Sequence, residues 1–249
     1  MIEVRNLTMA YGSRVIQREL DFEVQRGDIF VIMGGSGCGK SSLLKHLLGL
    51  LSPAEGDIYY GDQCFNRATA PQRDLLRQRW GITYQSGGLI SAMTLAQNVA
   101  LPLEQYSSHS AATIRDIVAL KLALVGLDGY QSYMPSEISG GMRKRAALAR
   151  AIALDPDILF FDEPSAGLDP ISSRRLDDLI LQIKESTGAT VVMVTHELPS
   201  IFAIANNSIY LDAATQRLID HGDPAHLRDH SEHAVVRQFL NRAGDPPHE

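Results

Sequence analysis

Eight residues near the N-terminus have the types and spacing that bind the phosphates of a nucleotide. Residues 34–41 read G-G-S-G-C-G-K-S and match the pattern G-x-x-x-x-G-K-[ST]. Glycines allow backbone N–H groups to converge on phosphate oxygens, and a following helix directs its positive N-terminal end toward the same anion. Lys40 places a point charge on the β- and γ-phosphates, and the Ser41 hydroxyl suits Mg²⁺, which prefers oxygen ligands. The segment therefore predicts binding of a nucleoside triphosphate with Mg²⁺.

The neighbouring sequence decides between this interpretation and a chance match in a glycine-rich turn. A chance match is expected in roughly one chain of this size in a hundred. Residues 29–33 are apolar without exception, which is typical of a parallel strand covered on both faces. Leucines follow the loop at helical spacing, at positions 43, 44, 47, 48 and 51. Strand, glycine loop and helix thus occur in the order that a phosphate loop requires.

Two carboxylates and a histidine follow two further apolar segments. Residues 158–161 precede Asp162 and Glu163, and residues 190–194 shortly precede His196. In open parallel sheets, ligands bind outside the carboxyl ends of the strands. Asp162 is predicted to orient Mg²⁺, and Glu163 to polarise the attacking water, because phosphoryl transfer depends on positioning and electrostatics. His196 is predicted to contact the γ-phosphate. The alternatives, a capped turn after a strand and a structural histidine, are disfavoured by the phosphate loop upstream.

A second possible anion site lies in the middle of the chain. Ser139, Gly140 and Gly141 stand at the start of a predicted alanine-rich helix, residues 139–154, which carries four basic residues. A serine and two glycines at a helix N-terminus can bind an anion. The alternative is a flexible, capped helix start. Two phosphate-binding segments in one chain require an explanation that these residues alone do not supply.

These side chains require a scaffold in which strands and helices alternate. Buried strands are predicted at residues 29–33, 158–161 and 190–194, with a helix at residues 172–186. Such alternation predicts a parallel sheet with right-handed crossovers. Nearer the N-terminus, alternating segments and the turn dipeptide Gly61-Asp62 predict antiparallel pairing. Residues 89–136 are predicted to be mostly helical.

The composition limits the possible partners of the chain. It has 249 residues, a net charge of −6 and 45% hydrophobic residues, which suits one large α/β domain or a domain with an insertion. The negative charge argues against nucleic-acid binding through a basic face and against attachment to anionic lipid through a polybasic patch. The first residues show no secretory signal, and the apolar runs are far shorter than a bilayer span. A role at a membrane would therefore require a partner that spans it.

The two cysteines, Cys38 and Cys64, form no disulfide framework and are typical of a reducing cytoplasm. Cys38 lies inside the phosphate loop and has two interpretations. It is a small residue that the loop tolerates, or it is a partly activated thiolate, because helix N-termini lower the pKa of cysteine. The second hypothesis predicts that thiol reagents inhibit nucleotide hydrolysis and that bound nucleotide protects the thiol.

The chain resembles the ATPase subunit of ABC transporters over residues 1 to about 225. Seven segments carry this resemblance, in the family's order: Tyr11, where the family stacks an aromatic ring on adenine; residues 34–41, similar to the Walker A motif; Gln85, the Q-loop glutamine; residues 138–142, similar to the signature Leu-Ser-Gly-Gly-Gln; residues 158–163, similar to Walker B; residues 165–169, the D-loop; and His196, the switch histidine. Ile138 and Met142 depart from the usual signature. Activity is expected to survive both, because the phosphate contacts come from the Ser139 hydroxyl and the glycine N–H groups.

The resemblance implies an α/β fold of the ABC type of P-loop NTPase. Its mainly parallel core sheet is accompanied by an N-terminal antiparallel β subdomain and an inserted helical subdomain at about residues 86–154. The ABC ATPase domain would cover residues 1–225, and residues 226–249 would form a C-terminal extension that can dock on the partner subunit. Residues 244–249 are predicted to be poorly ordered.

The resemblance also implies how the subunit works. Two copies form a head-to-tail dimer, in which each ATP lies between residues 34–41 of one copy and residues 139–141 of the other. ATP closes this dimer and hydrolysis reopens it. The Gln85 loop and residues 86–137 would receive a cytoplasmic helix of a permease dimer, which places the chain at the cytoplasmic face of the inner membrane.

Site residues and the cofactors ATP and Mg²⁺ follow from the same resemblance. Catalysis is assigned to Glu163, His196 and Gln85, and Mg²⁺ binding to Ser41, Gln85 and Asp162. ATP binding is assigned to Tyr11, Gly34, Gly35, Ser36, Gly37, Cys38, Gly39, Lys40, Ser41 and Ser42. Contact with the ATP of the partner copy is assigned to Ser139, Gly140 and Gly141, and the D-loop contribution to Asp169.

Within the family, four segments resemble the ATPase of Mla-type, MCE-associated phospholipid transporters: residues 84–89, 98–103, 139–145 and 166–171. Met142 followed by Arg-Lys-Arg is the most telling feature. The resemblance implies (phospho)lipid transport between the membranes of a Gram-negative-type envelope. Its partners would be a permease dimer, an MCE-domain protein and a STAS-domain subunit, with no nucleic acid. A C-terminal apolar stripe either docks on the partner ATPase or packs on its own domain; it consists of Val235, Val236, Phe239 and Leu240.

Other classes of ABC protein share part of this pattern. An ABC ATPase for a small polar solute would have the same catalytic residues and differ only in the subfamily segments. A non-transport ABC protein of chromosome maintenance needs a very long coiled coil between the phosphate loop and the signature, and none fits here. A translation-type ABC factor normally carries two cassettes, whereas this chain carries one. A pure scaffold would have lost the catalytic groups, which are present.

Overall fold

The computed structural model describes residues 2–241. The prediction for residues 244–249 therefore lies outside the described residues. The chain divides into two compact units: the first contains the described residues up to Asp74 and from Thr190 onward, and the second contains Leu75–Ala189. Between residues 2 and 241, every helix is too short or too polar to cross a membrane.

The strands within the described residues are β1 (Ile2–Tyr11), β2 (Arg14–Val24), β3 (Ile29–Gly34), β4 (Glu55–Tyr60), β5 (Gln63–Cys64), β6 (Trp80–Thr83), β7 (Ile158–Asp162), β8 (Thr190–Val194), β9 (Asn207–Asp212) and β10 (Arg217–Gly222). The helices are α1 (Lys40–Leu47), α2 (Ala70–Arg77), α3 (Leu95–Tyr106), α4 (Ala111–Leu124), α5 (Gly140–Ala151), α6 (Pro170–Thr187), α7 (Leu198–Ile204), α8 (Pro224–His230) and α9 (Ala234–Asn241). A short 3₁₀ turn covers Pro135–Glu137.

The first unit contains an antiparallel sheet in the order β2-β1-β4-β5. β1 lies at its centre and pairs with β2 on one side and with β4 on the other. Alternate residues at the start of β1 (Ile2, Val4) and at the end of β2 (Leu20, Phe22, Val24) are buried, which explains the alternation in these parts of the sequence. The antiparallel pairing predicted around Gly61-Asp62 is confirmed, because this dipeptide joins β4 to β5.

The second sheet region of the first unit is mainly parallel, with the strand order β10-β9-β3-β8. β3 pairs in parallel with both β8 and β9, and β10 runs antiparallel to β9. Every residue of β3 and β8 is buried, as predicted for apolar strands covered on both faces. In the second unit, β6 and β7 also pair in parallel. The predicted mainly parallel core is therefore confirmed.

Several elements have no counterpart among the sequence-based predictions: β6, β9, β10, α2, α7 and α8. β10 contains no buried residue, and α7 has only seven residues. Neither element is long or apolar enough to produce a recognisable periodicity. These elements form because their neighbours in the fold provide partners that a local pattern does not reveal.

The helices of the second unit agree with the predicted helical middle of the chain. In α4, Ile114, Val118 and Leu122 are buried on one face. The helix stops before Gly126, which has a φ of +67°. α5 begins immediately after Ser139, whose hydroxyl caps it, so the predicted start of the alanine-rich helix is confirmed.

A fully buried asparagine organises the segment between β6 and α3. The Asn98 side-chain amide donates to the carbonyls of Ile90, Met93 and Thr94 at 3.1, 3.1 and 3.0 Å. Its Oδ1 accepts from the Ile90 N–H at 2.7 Å. One side chain thus satisfies several backbone groups of residues 90–94, and the course of this segment depends on it.

Replacing Asn98 with leucine is expected to lower the stability of the second unit by about 2 kcal/mol, because part-buried backbone groups of residues 90–94 lose hydrogen-bond partners. This corresponds to a fall in Tm of roughly 4–8 °C. Differential scanning fluorimetry measures the effect. Gln105→Leu, at an exposed position of the same helix, is the matched control and should unfold close to the wild type. Equal Tm values for the two variants would contradict the role assigned to Asn98.

Candidate nucleotide-binding site

The loop between β3 and α1 has the backbone shape that its glycines allow. Gly34 and Gly39 have φ angles of +145° and +103°, which side chains disfavour. A Cβ on Gly34 would overlap the carbonyl oxygen of Leu211 and lie 2.6 Å from the Cys38 Sγ. A Cβ on Gly39 would lie 2.7 Å from the Ile16 side chain. Glycine is therefore required at both ends of the loop by its packing within the first unit.

Several residues of this loop are exposed, and the Lys40 side chain is bonded to the loop backbone. The Lys40 ammonium donates to the carbonyls of Gly34 and Gly35, both at 2.9 Å. Gly35, Ser36, Gly37 and Ser41 are exposed. The exposed backbone N–H groups and the ammonium are suited to phosphate, and the Ser41 hydroxyl is suited to Mg²⁺.

Tyr11 and Ser42 lie together beside the loop. The Tyr11 hydroxyl is 3.2 Å from the Ser42 Oγ, and 48% of the Tyr11 surface is exposed. The first unit therefore brings together all ten residues predicted from the sequence to bind ATP. The half-exposed ring of Tyr11 offers a face on which a flat heterocycle can stack.

Cys38 is buried, and burial raises the pKa of its thiol, although Lys40 acts in the opposite direction. Burial therefore argues against the hypothesis of an activated thiolate and favours the interpretation as a small residue that the loop tolerates. The Gln17 side chain, also buried, donates to the Cys38 carbonyl at 2.8 Å and to the Asp212 carbonyl at 3.0 Å. Gln17 was missed by sequence reasoning, and its only signal is a polar residue within an otherwise alternating strand.

Thiol reagents are expected to modify Cys64, which is half-buried, well before Cys38 in the native chain. Mass spectrometry of peptides after timed alkylation gives the two rates separately. In denaturant, where burial is lost, both thiols should react at similar rates. A Cys38 that reacts as fast as Cys64 in the native chain, and that ATP protects, would restore the thiolate hypothesis.

In the second unit, Asp162 and Glu163 stand where β7 ends. Asp162 is the last residue of the strand, and Glu163 has a φ of +51°, a left-handed conformation uncommon for residues other than glycine. The chain therefore leaves the direction of the strand at Glu163. The Ala166 N–H donates to the Glu163 carbonyl at 3.3 Å and closes a turn. Two half-buried acidic residues thus lie next to each other at the point where the backbone changes direction.

Ser139 and the two glycines after it form an open helix start. The Ser139 hydroxyl accepts from the Met142 N–H at 3.2 Å. A Cβ on Gly140 or Gly141 would come no closer than 3.7 Å to a neighbouring atom, an ordinary contact, and neither residue has a positive φ. Nothing within the second unit requires glycine here, in contrast to Gly34 and Gly39. The two positions leave the helix backbone accessible to an external group.

The loop after β6 and the start of α6 hold the remaining predicted residues of the second unit. Gln85 is exposed, and Arg150 donates to the carbonyls of Gly88 and Gly87 at 2.7 and 3.4 Å, which anchors the loop to α5. Asp169 caps α6 by accepting from the backbone N–H groups of Ile171 and Ser172. Hydrogen bonds from Ser172 hold the pKa of the Asp169 carboxyl below its usual value.

The structure thus places the predicted site residues in two sets. The first unit holds the phosphate loop, Tyr11, Ser42 and His196, which is exposed just after β8. The second unit holds Gln85, the Ser139 segment, Asp162, Glu163 and Asp169. Within residues 2–241, no cluster of three or more histidine, cysteine or acidic residues could hold a metal by itself.

Comparisons with known proteins agree with these features. Residues 17–166 match the family described as ABC transporter. The intermembrane phospholipid transport system ATP-binding protein MlaF of Haemophilus influenzae is 41% identical over 247 residues, 99% of this chain and 92% of the relative. The probable ribonucleotide transport ATP-binding protein mkl of Mycobacterium tuberculosis is 41% identical over 240 residues, 96% of this chain and 66% of the relative.

Among solved structures, the chain is similar to a dimeric ATP-binding cassette in a post-hydrolysis state, bound to ADP and Pi. The two are 28% identical, with a TM-score of 0.81 over 90% of this chain and 98% of that chain. The match thus includes almost all of the cassette. The phosphate loop, the carboxylates after β7 and the family match lead to one conclusion: this chain belongs to the ABC transporter family, as an ATP-hydrolysing subunit.

Proposed function

We propose that this subunit energises the transport of phospholipid between the membranes of a Gram-negative-type envelope. The observation that carries the proposal is the 41% identity to MlaF over 99% of this chain and 92% of that relative. The subfamily segments point the same way, above all Met142 with the three basic residues after it. Small-solute transport is the second candidate, because a relative named for ribonucleotide transport is equally identical over 96% of the chain.

The roles of the site residues form part of the proposal. Residues 34–41 hold the phosphates, with Lys40 exchanging its bonds to Gly34 and Gly35 for phosphate oxygens. Tyr11 stacks on the adenine. Ser41, Asp162 and Gln85 would hold Mg²⁺, which would neutralise phosphate charge and stabilise the transition state.

Glu163 and His196 carry out the chemistry in this proposal. Glu163 polarises the attacking water, at the point where its positive φ turns the backbone away from the direction of β7. His196 contacts the γ-phosphate from its exposed position after β8. Each role uses a group at the carboxyl end of a parallel strand, where ligands bind in such sheets.

A head-to-tail dimer accounts for the open start of α5. Gly140 and Gly141 leave space in which another group could contact the helix backbone closely. No atom of their own unit occupies this space. The N–H groups at a helix start, with the Ser139 hydroxyl, suit the γ-phosphate of an ATP that is bound by a second copy. The similarity to a dimeric cassette supports the same arrangement.

Partners at the membrane complete the proposal: a permease dimer, an MCE-domain protein and a STAS-domain subunit. Exposed Tyr84, Gln85 and Ile90 near the loop after β6 would meet the permease. This contact would place the subunit at the cytoplasmic face of the inner membrane.

The C-terminal extension, residues 226–249, includes α9. Val236 and Leu240 are fully buried, and Phe239 packs edge-on against Tyr210 at 5.4 Å. The described part of the apolar stripe therefore packs on its own unit, which leaves Val235, 43% exposed, for contact with a partner.

Purification of the native complex through a tag on this chain tests the proposal. Mass spectrometry identifies the co-purified proteins and any bound lipid, and Glu163→Gln provides a complex stalled before hydrolysis for comparison. We expect a permease, an MCE-domain protein and phospholipid. A complex with a solute-binding protein, without lipid, would favour small-solute transport instead.

A further inference from the structure

Lys144 connects the helix that starts at Ser139 with the turn that carries Glu163. Its ammonium donates to the Ala166 carbonyl at 2.6 Å and to the Glu163 carbonyl at 3.4 Å. Lys144 lies five residues beyond Ser139, about one and a half turns along α5. Its side chain is half-buried, so these bonds are partly shielded from water.

The turn that receives these bonds contains a backbone conformation that residues other than glycine rarely adopt. Glu163 is in the left-handed region, and such a conformation persists where the surrounding structure enforces it. The Ala166 N–H supplies one constraint by donating to the Glu163 carbonyl, and the next turn closes when the Leu168 N–H donates to the Ser165 carbonyl at 3.0 Å. Lys144 supplies a charged donor from outside the turn, which is stronger than a neutral one.

We propose that Lys144 is a positioning residue for Glu163: it holds the backbone of residues 163–166 against α5 and thereby fixes the direction of the Glu163 carboxylate. The inference rests on the proposed role of Glu163 as the group that polarises water. Lys144 itself acts through backbone carbonyls. Its loss should therefore slow the chemical step and leave the phosphate loop, which belongs to the other unit, unchanged.

Replacing Lys144 with methionine tests this inference, because methionine keeps the apolar stem and removes the ammonium. We expect kcat for ATP hydrolysis to fall about 10- to 100-fold, since displacement of a catalytic group by about 1 Å has an effect of this order. KM for ATP should change less than about threefold, because the nucleotide contacts are retained. Lys144→Arg keeps a charged donor and should recover most of kcat. Lys184→Met, on α6 of the same unit, is the matched control and should behave as wild type.

Hydrogen exchange gives a second readout that does not depend on activity. Peptides covering residues 162–169 should exchange faster in Lys144→Met than in the wild type or in Lys184→Met, while thermal unfolding confirms that each variant folds. Unchanged exchange in this segment, or a kcat within twofold of wild type, would overturn the inference. A fall in kcat that Lys144→Arg does not relieve would overturn it as well. If the wild type itself hydrolyses no ATP, the proposed function fails, and the exchange data alone decide whether Lys144 holds the turn.

Discussion

The Glu163→Gln variant is expected to bind ATP normally and to hydrolyse it about a thousandfold more slowly, because glutamine keeps the shape of the side chain but cannot act as a general base. The loop that is proposed to bind the nucleotide lies in the other unit, so it should be unaffected. With ATP bound and not hydrolysed, the proposed dimer should persist. The change thus separates binding from chemistry.

Three measurements on the purified chain check this expectation: steady-state release of phosphate, the Kd for ATP with Mg²⁺, and size-exclusion chromatography in the presence of ATP. Glu185→Gln, at an exposed position on α6, is the matched control for the loss of one carboxylate. Normal turnover in Glu163→Gln would remove Glu163 from the role of base. A slow variant that stays monomeric with ATP would instead argue against the ATP-closed dimer.

The Lys40→Ala variant should lose most of its affinity for ATP. In the structure the Lys40 ammonium already lies over the loop, 2.9 Å from the carbonyls of Gly34 and Gly35, so it is in place for a phosphate. Charged hydrogen bonds are worth about 1.5–3 kcal/mol each, and the loss of one raises the Kd roughly 10- to 150-fold. Lys40→Arg should not restore binding, because the planar guanidinium is larger and less compact than an ammonium.

Isothermal titration calorimetry with ATP and Mg²⁺ measures this loss, and Lys45→Ala, an exposed lysine on the same helix, is the control. Thermal unfolding without nucleotide is needed as well, because Lys40 also donates to the loop backbone. A large fall in Tm would assign part of the effect to a disordered loop. A Kd close to that of wild type would show that Lys40 does not contact the phosphates.

The amino-acid sequence by itself determined the elements that depend on local pattern. The apolar residues of β3 and β8 identified strands buried on both faces, and the leucine spacing identified α1. The glycines, Lys40 and Ser41 between them identified the phosphate loop. The predicted strands and helix are confirmed because each rests on neighbours within about ten residues, where periodicity and turn chemistry act directly, and the phosphate contacts of the loop stay a prediction. The helix capped by Ser139 was found for the same reason.

Only the tertiary structure decided the features that depend on residues distant in the chain. It showed that Leu211 excludes any side chain at Gly34, and that Gln17 supports the carbonyl of Cys38. It also argues against a reactive Cys38, because burial raises the pKa of the thiol more than Lys40 lowers it. Lys144, one of several basic residues in its helix, is singled out only by its bonds to a turn some 20 residues further along. Burial and long-range hydrogen bonds arise when the chain folds back on itself, and no local pattern encodes them.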